Sequence, residues 1–150
     1  MAELTARILR IVRGTTVDGP GLRTSIYFAG CSHGCQGCHN PQSWDFAAGY
    51  QVSLPDLMQV VREEDFDVTL SGGDPLYQAD FVKSLIQAIR AEGHTVWVYT
   101  GFTWEEIEAN KNLREAVDGA EAVVEGRFVE ELRDTSLRFR GSSNQRIIYL

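Results

Sequence analysis

Three apolar segments, centred near residues 68, 97 and 123, recur about every 27 residues, and each neighbouring pair brackets a helical pattern. A strand, a helix and a second strand at that period make a βαβ unit. The chain is therefore expected to form an α/β fold around a mostly parallel sheet. The strands read as 66–70, 95–99 and 120–124, with further strand-like stretches at 8–12, 24–28 and 145–149. Leu54, Leu57, Met58 and Val61 follow an i, i+3, i+4, i+7 spacing, and Phe81, Leu85 and Ile89 form a second stripe with Val82 and Ile86 beside them. Ser53 followed three residues on by Asp56, and Thr103-Trp104-Glu105-Glu106, are helix-starting signatures. A closed eight-stranded β/α barrel takes about 250 residues, and this chain has 150. The architecture consistent with that length is a partial, open β/α barrel in a single domain over residues 1–150.

In such a sheet, ligands gather at the loops that follow the carboxyl ends of the strands. The most unusual of these loops follows residue 28. All three cysteines of the chain lie in Cys31-Ser32-His33-Gly34-Cys35-Gln36-Gly37-Cys38, a C-x3-C-x2-C spacing. Three thiolates on one glycine-rich loop suit a cubane iron–sulfur cluster with one corner left open, since such clusters are ordinarily held by four cysteines. Structural zinc is the rival on spacing alone, with His33 or His39 as fourth ligand. An odd cysteine count argues against a disulfide framework. After the 66–70 strand comes Ser71-Gly72-Gly73-Asp74-Pro75. Its glycine pair lets backbone approach a ligand, or simply makes a turn. Asp74 either caps the next helix or faces a ligand ammonium.

Fourteen basic against twenty-one acidic residues give a net charge of −7, which disfavours a broad nucleic-acid footprint. No apolar run reaches membrane-spanning length, and Met1-Ala2-Glu3-Leu4 lacks a signal-peptide pattern. A cytoplasmic protein with reduced thiols is expected.

Taken together, several stretches give the chain a wider likeness. They are Asp18-Gly19-Pro20-Gly21-Leu22-Arg23, Gly30-Cys31 through His39-Asn40, Ser71 through Leu76, Val96-Trp97-Val98-Tyr99-Thr100-Gly101, Val124-Glu125-Gly126-Arg127-Phe128 and Arg140-Gly141-Ser142-Ser143-Asn144-Gln145. In this order, across nearly the whole chain, they resemble the radical S-adenosylmethionine (SAM) superfamily. Within it they resemble the glycyl-radical enzyme activases that serve anaerobic ribonucleoside-triphosphate reductases.

The resemblance implies a [4Fe–4S] cluster on Cys31, Cys35 and Cys38, with the open iron taking the methionine end of SAM. It implies backbone contacts to SAM from Gly37, Cys38 and His39, and from Gly73 with Gly72 and Asp74 beside it. Gly37 stands where many superfamily members carry an aromatic residue. No catalytic residue beyond the cluster ligands is implied. The implied partners are the glycyl-radical subunit of the reductase and an electron donor such as flavodoxin or ferredoxin, with neither nucleic acid nor membrane. Alternatives are an activase of another glycyl-radical enzyme such as pyruvate formate-lyase, a small-molecule radical SAM enzyme, or a non-catalytic zinc-binding module. His33 and His39 read as shaping the loop, and His94 as a solvated connector. Trp44 and Phe46 read either as a shield for the cluster or as core. Arg140, Ser142, Ser143 and Asn144 make a dense hydrogen-bonding group, either a turn or part of a site.

Overall fold

Strand polarity follows from how the chain returns after each strand. The computed structural model describes residues 4–31, 33, 34 and 44–150. β1 (Thr5–Thr15) turns through a short loop into β2 (Arg23–Phe28), so the two pair antiparallel, with Ile11 opposite Ile26. β3 (Tyr50–Ser53) pairs antiparallel with the other side of β1 and runs straight into α1 (Leu54–Glu64). β4 (Asp67–Gly72) and β5 (Val96–Tyr99) are linked by α2 (Ala79–Ala91). β5 reaches β6 (Ala122–Glu125) through α3 (Trp104–Glu108) and α4 (Lys111–Ala116). β7 (Arg146–Tyr149) closes the described chain.

These seven strands form one sheet in the order β3-β1-β2-β4-β5-β6-β7. Pairs β2–β4, β4–β5 and β5–β6 are parallel, whereas β1–β2, β1–β3 and β6–β7 are antiparallel. The expectation of a mostly parallel sheet is thus corrected to a mixed one. Parallel neighbours need a crossover, usually a helix. The β1–β2 turn has none, and the β6–β7 link holds only one short 3₁₀ turn, Glu130–Leu132.

The caps explain the helix limits. Ser53 Oγ accepts the Asp56 N–H at 3.2 Å, Pro55 occupies the first turn, and α1 stops at Asp65, whose φ of 56° is left-handed. At Thr103, hydroxyl and backbone exchange hydrogen bonds with Glu106, the expected capping box. The helix it opens soon ends, and Asn110 caps a second by accepting the Leu113 N–H at 3.2 Å.

The pleat gives the sheet two unlike faces. Ile26, Phe28, Val68, Leu70, Val96, Val98 and Val123 pack with the helical stripes in one core cluster. On the other face, Ser25, Tyr27, Thr69, Ser71 and Tyr99 are polar. Trp97, Ala122 and Val124 on this face pack with Phe139 and Ile147. Arg23 is buried here, with Nε 2.9 Å from Thr69 Oγ1, Nη2 2.9 Å from the Val68 carbonyl and Nη1 3.0 Å from that of Pro20. A buried cation needs that many acceptors to persist.

Candidate active site

Because β2, β4, β5 and β6 run parallel, the loops after them emerge on one edge of the sheet. Their first residues wall a chamber of about 130 Å³, among them Cys31, His33, Gly73, Thr100, Gly101 and Gly126. Three of those six are glycines, so much of the wall is backbone.

Asp74 holds these loops together from beneath. It is fully buried. Oδ1 accepts the Leu76 N–H at 3.0 Å, Oδ2 accepts the Gly101 N–H at 2.9 Å, and Thr100 Oγ1 reaches both oxygens at 3.0 and 2.9 Å. His33 Nε2 lies 2.7 Å from Oδ2. Along the backbone, the Asp74 N–H donates to the Gly30 carbonyl at 2.8 Å, and that of Gly73 to Phe28 at 2.9 Å. The Asp74 carboxylate therefore caps the turn that follows β4 and ties it to the loops after β2 and β5.

Two glycines are demanded by this approach. Gly72 has φ 111°, and a Cβ there would run into the Phe28 backbone; one on Gly101 would run into the His33 ring. The His33 ring sits edge-on to Phe102, with centroids 4.7 Å apart, and 5.4 Å from Tyr77. Phe46 packs edge-on against Tyr77 but stays half-exposed, and the Trp44 carbonyl accepts the Cys31 N–H at 3.3 Å. Of the residues singled out in the sequence, Cys31, Gly72, Gly73 and Asp74 are brought together here. Cys35, Gly37, Cys38 and His39 lie outside the described residues.

The chamber adjoins a second cavity of about 440 Å³, walled by Arg10, Asp18, Tyr27, Phe139 and Arg140 among others. Ser71, Tyr99, Phe128 and Gln145 line both. Small-molecule sites typically span about 300–1,000 Å³; the chamber alone falls short of that, whereas the adjoining cavity lies within it. Asp18 Oδ2 accepts from Ser25 Oγ at 3.0 Å and Tyr27 Oη at 2.5 Å, and its carbonyl from Thr69 Oγ1 at 2.7 Å. Burial, with Asp18 adding to it, pushes the Tyr27 hydroxyl up to about 12.

Sequence reasoning missed this Asp18–Ser25–Tyr27–Thr69 group. Its signal is a polar residue at every second position of strands otherwise read as apolar. The group before β7 resolves into a clasp. Gln145 Oε1 accepts the N–H groups of Gly141 and Ser142 at 2.8 and 3.2 Å, while Gln145 Nε2 donates to the Gly126 carbonyl at 3.0 Å. Ser142 Oγ donates to Asn144 Oδ1 at 2.6 Å, and Asn144 Nδ2 to the Arg127 carbonyl at 2.8 Å. The Ser143 N–H donates to the Leu132 carbonyl at 2.9 Å.

This geometry fits an inorganic cluster with a small cofactor. Cys31 offers a soft thiol at the rim, and the glycine walls leave room for a ligand against backbone.

Comparison with known proteins agrees in kind. Residues 17–148 match the family model described as a 4Fe-4S single cluster domain. An anaerobic ribonucleoside-triphosphate reductase-activating protein of Escherichia coli K12 is 36% identical over 144 residues, covering 89% of this chain and 92% of that protein. One from Salmonella typhimurium is also 36% identical, with the same coverage, and one from phage T4 is 28% identical over 87% of this chain and 86% of its own. Among solved structures, QueE from Escherichia coli aligns with a TM-score of 0.52 at 19% identity, covering 66% of this chain and 54% of that one. That likeness speaks to the fold alone.

Proposed function

This chain belongs to the family of anaerobic ribonucleoside-triphosphate reductase-activating proteins, and from that membership we propose that it installs the glycyl radical of such a reductase. The observation that carries the proposal is the convergence of four strand-end loops on a glycine-walled chamber with Cys31 at its rim. In this reading Cys31, Cys35 and Cys38 hold a [4Fe–4S] cluster, and the backbone of Gly37, Cys38, His39, Gly72 and Gly73 meets SAM. When bound, the cluster and SAM would supply the one-electron chemistry that yields methionine and a 5′-deoxyadenosyl radical able to take hydrogen from a glycine α-carbon.

The residues of the chain place and shelter that chemistry. Asp74 fixes the turn carrying Gly72 and Gly73, and through His33 it fixes the loop that begins at Cys31. Phe102 and Tyr77 pack around His33 and keep water from that tie. The single domain over residues 1–150, with β3 and β7 as its two sheet edges, is read as an open barrel whose mouth admits a loop of a macromolecule. No described helix is long and apolar enough to cross a membrane. We place the protein in the cytoplasm, with flavodoxin or ferredoxin as electron donor and without nucleic acid or membrane as partner.

An activase for another glycyl-radical enzyme is the nearest alternative. Coverage of 92% of the Escherichia coli relative favours the reductase, since the two chains match almost end to end. A zinc-binding module accounts for none of the strand-end convergence. Anaerobic incubation of the reconstituted protein with the reductase, SAM and a reductant is the test, read by electron paramagnetic resonance. A glycyl radical with matching 5′-deoxyadenosine is expected, while pyruvate formate-lyase stays unactivated. Activation of the lyase but not the reductase would reassign the target.

A further inference from the structure

Among the described residues, five polar side-chain atoms are buried without a hydrogen-bonding partner, and two of them belong to residues that line one cavity. They are the Tyr99 hydroxyl and Arg140 Nε. Buried donors are nearly always matched by an acceptor, from protein, water or ligand. Two unmatched donors on one cavity point to a ligand that brings acceptors.

The placement narrows the ligand. Tyr99 ends β5 and lines both the 440 Å³ cavity and the chamber beside Cys31. Arg140 Nη1 donates to the Gln145 carbonyl at 3.3 Å, so the clasp before β7 holds this guanidinium at the cavity wall. Asp18 is not the missing acceptor, because Ser25 and Tyr27 both donate to its Oδ2 and Tyr99 bonds to neither oxygen. Burial, reinforced by the Asp18 charge, raises the Tyr99 hydroxyl above its ordinary value, so it stays a donor at neutral pH. Phe128, Leu137 and Phe139 add apolar wall. Donors in a wall that mixes polar groups with apolar rings suit a peptide main chain, whose carbonyls accept and whose glycines need no side-chain room.

We propose that Tyr99 Oη and Arg140 Nε receive main-chain carbonyls of the glycine-bearing segment of the reductase, where it passes from the cavity toward the chamber. This inference rests on the activase reading above. It makes the two residues binding determinants for the protein substrate rather than for SAM.

The test compares wild type, Tyr99→Phe and Arg140→Lys, each anaerobically reconstituted. Radical formation is followed against reductase concentration, reductase affinity by anisotropy of labelled reductase, and SAM affinity by equilibrium dialysis. Each variant should raise KM and Kd for the reductase about fivefold to tenfold, with kcat changing less than twofold. Tyr99→Phe keeps the ring, so it carries the test if Arg140→Lys folds poorly. Unchanged reductase KM and Kd, while wild type activates normally, would overturn the proposal. So would a SAM affinity that falls by the same factor, which would give these donors to the cofactor. Failure of wild type itself to activate the reductase would overturn the activase reading and this inference together, and would show before any variant is made.

Discussion

His33 Nε2 lies 2.7 Å from Asp74 Oδ2, with the two side chains 3% and 0% exposed, so the loop that starts at Cys31 is bolted to the turn after β4. The partners lie forty-one positions apart in the chain. Their contact holds the segment that starts at Cys31 against the glycine turn once the sheet edge has brought them together.

Removing either partner should therefore cost stability and cluster retention together. Asp74→Ala leaves the donors of His33, Thr100, Leu76 and Gly101 without their acceptor, and about 3–5 kcal/mol of folding stability should be lost. His33→Ala removes one bond and the ring packing and should cost about 1–3 kcal/mol. His33→Gln, which can still donate, should recover part of that. Anaerobic urea unfolding gives the stabilities, and iron per chain gives retention. Wild-type values in Asp74→Ala would show that the tie is incidental.

Acid should weaken the fold partly through Glu106. The Arg127 guanidinium, 2.7 Å away, and then the Thr103 N–H hold its carboxyl at about 2, against an ordinary 4.5. A carboxylate depressed in the folded state stabilises above its unfolded value, and that contribution fades as pH falls from about 4.5 toward 2. Because the side chain is 41% exposed, solvent screening limits the contribution to about 1 kcal/mol or less. Glu106→Gln preserves the capping-box shape, so its stability should fall less steeply than that of wild type between pH 5 and 3. Equal slopes would remove Glu106 from the acid response.

The parallel centre of the fold was readable because each strand there is buried on its helix-facing side and each helix carries an apolar stripe. The expected strand at 66–70 and the observed Asp67–Gly72 differ only at their ends. The short strand Tyr50–Ser53 left no pattern, because three of its four residues are not buried and its pairing comes from β1. The expected third helix breaks because Asn110 caps a new one, a competition that periodicity alone does not rank. At the site, the glycine pair was visible, but the occupants of Asp74 were not. Its partners come from residues 33, 100 and 101, and only the folded sheet edge makes them neighbours. The polar inner face was hidden for the same reason: Ser25, Tyr27 and Thr69 find Asp18 only across strands.

The two glycines of the β4 turn should respond differently to substitution. Gly72→Ala sets a Cβ against the Phe28 backbone at a φ of 111°, so it should destabilise the sheet itself by several kcal/mol, about 2–4. Gly73 lines the chamber. Gly73→Val should weaken SAM binding more than tenfold while iron content stays near that of wild type. Equilibrium dialysis and iron analysis on the same samples separate the effects. Unaltered SAM affinity in Gly73→Val would leave the pair as a turn and nothing more.

The metal is the sharpest divide between an activase and a zinc module. Cys31 is the one cysteine among the described residues, and it sits on the wall of the chamber. Anaerobic reconstitution should load about four irons and four sulfides per chain. Cys31→Ala, Cys35→Ala and Cys38→Ala should each strip or cripple the cluster and abolish radical formation. The fold should survive in each, because its core is built from the apolar side chains of the strands and helices. Far-ultraviolet circular dichroism checks the fold, and Mössbauer spectroscopy checks the cluster type. On the proposed reading, in which thiolates alone hold the metal, a His33→Ala protein should still bind iron, though less firmly, since the His33 ring bonds to Asp74. One zinc per chain that survives reconstitution and depends on His33 would reverse the assignment.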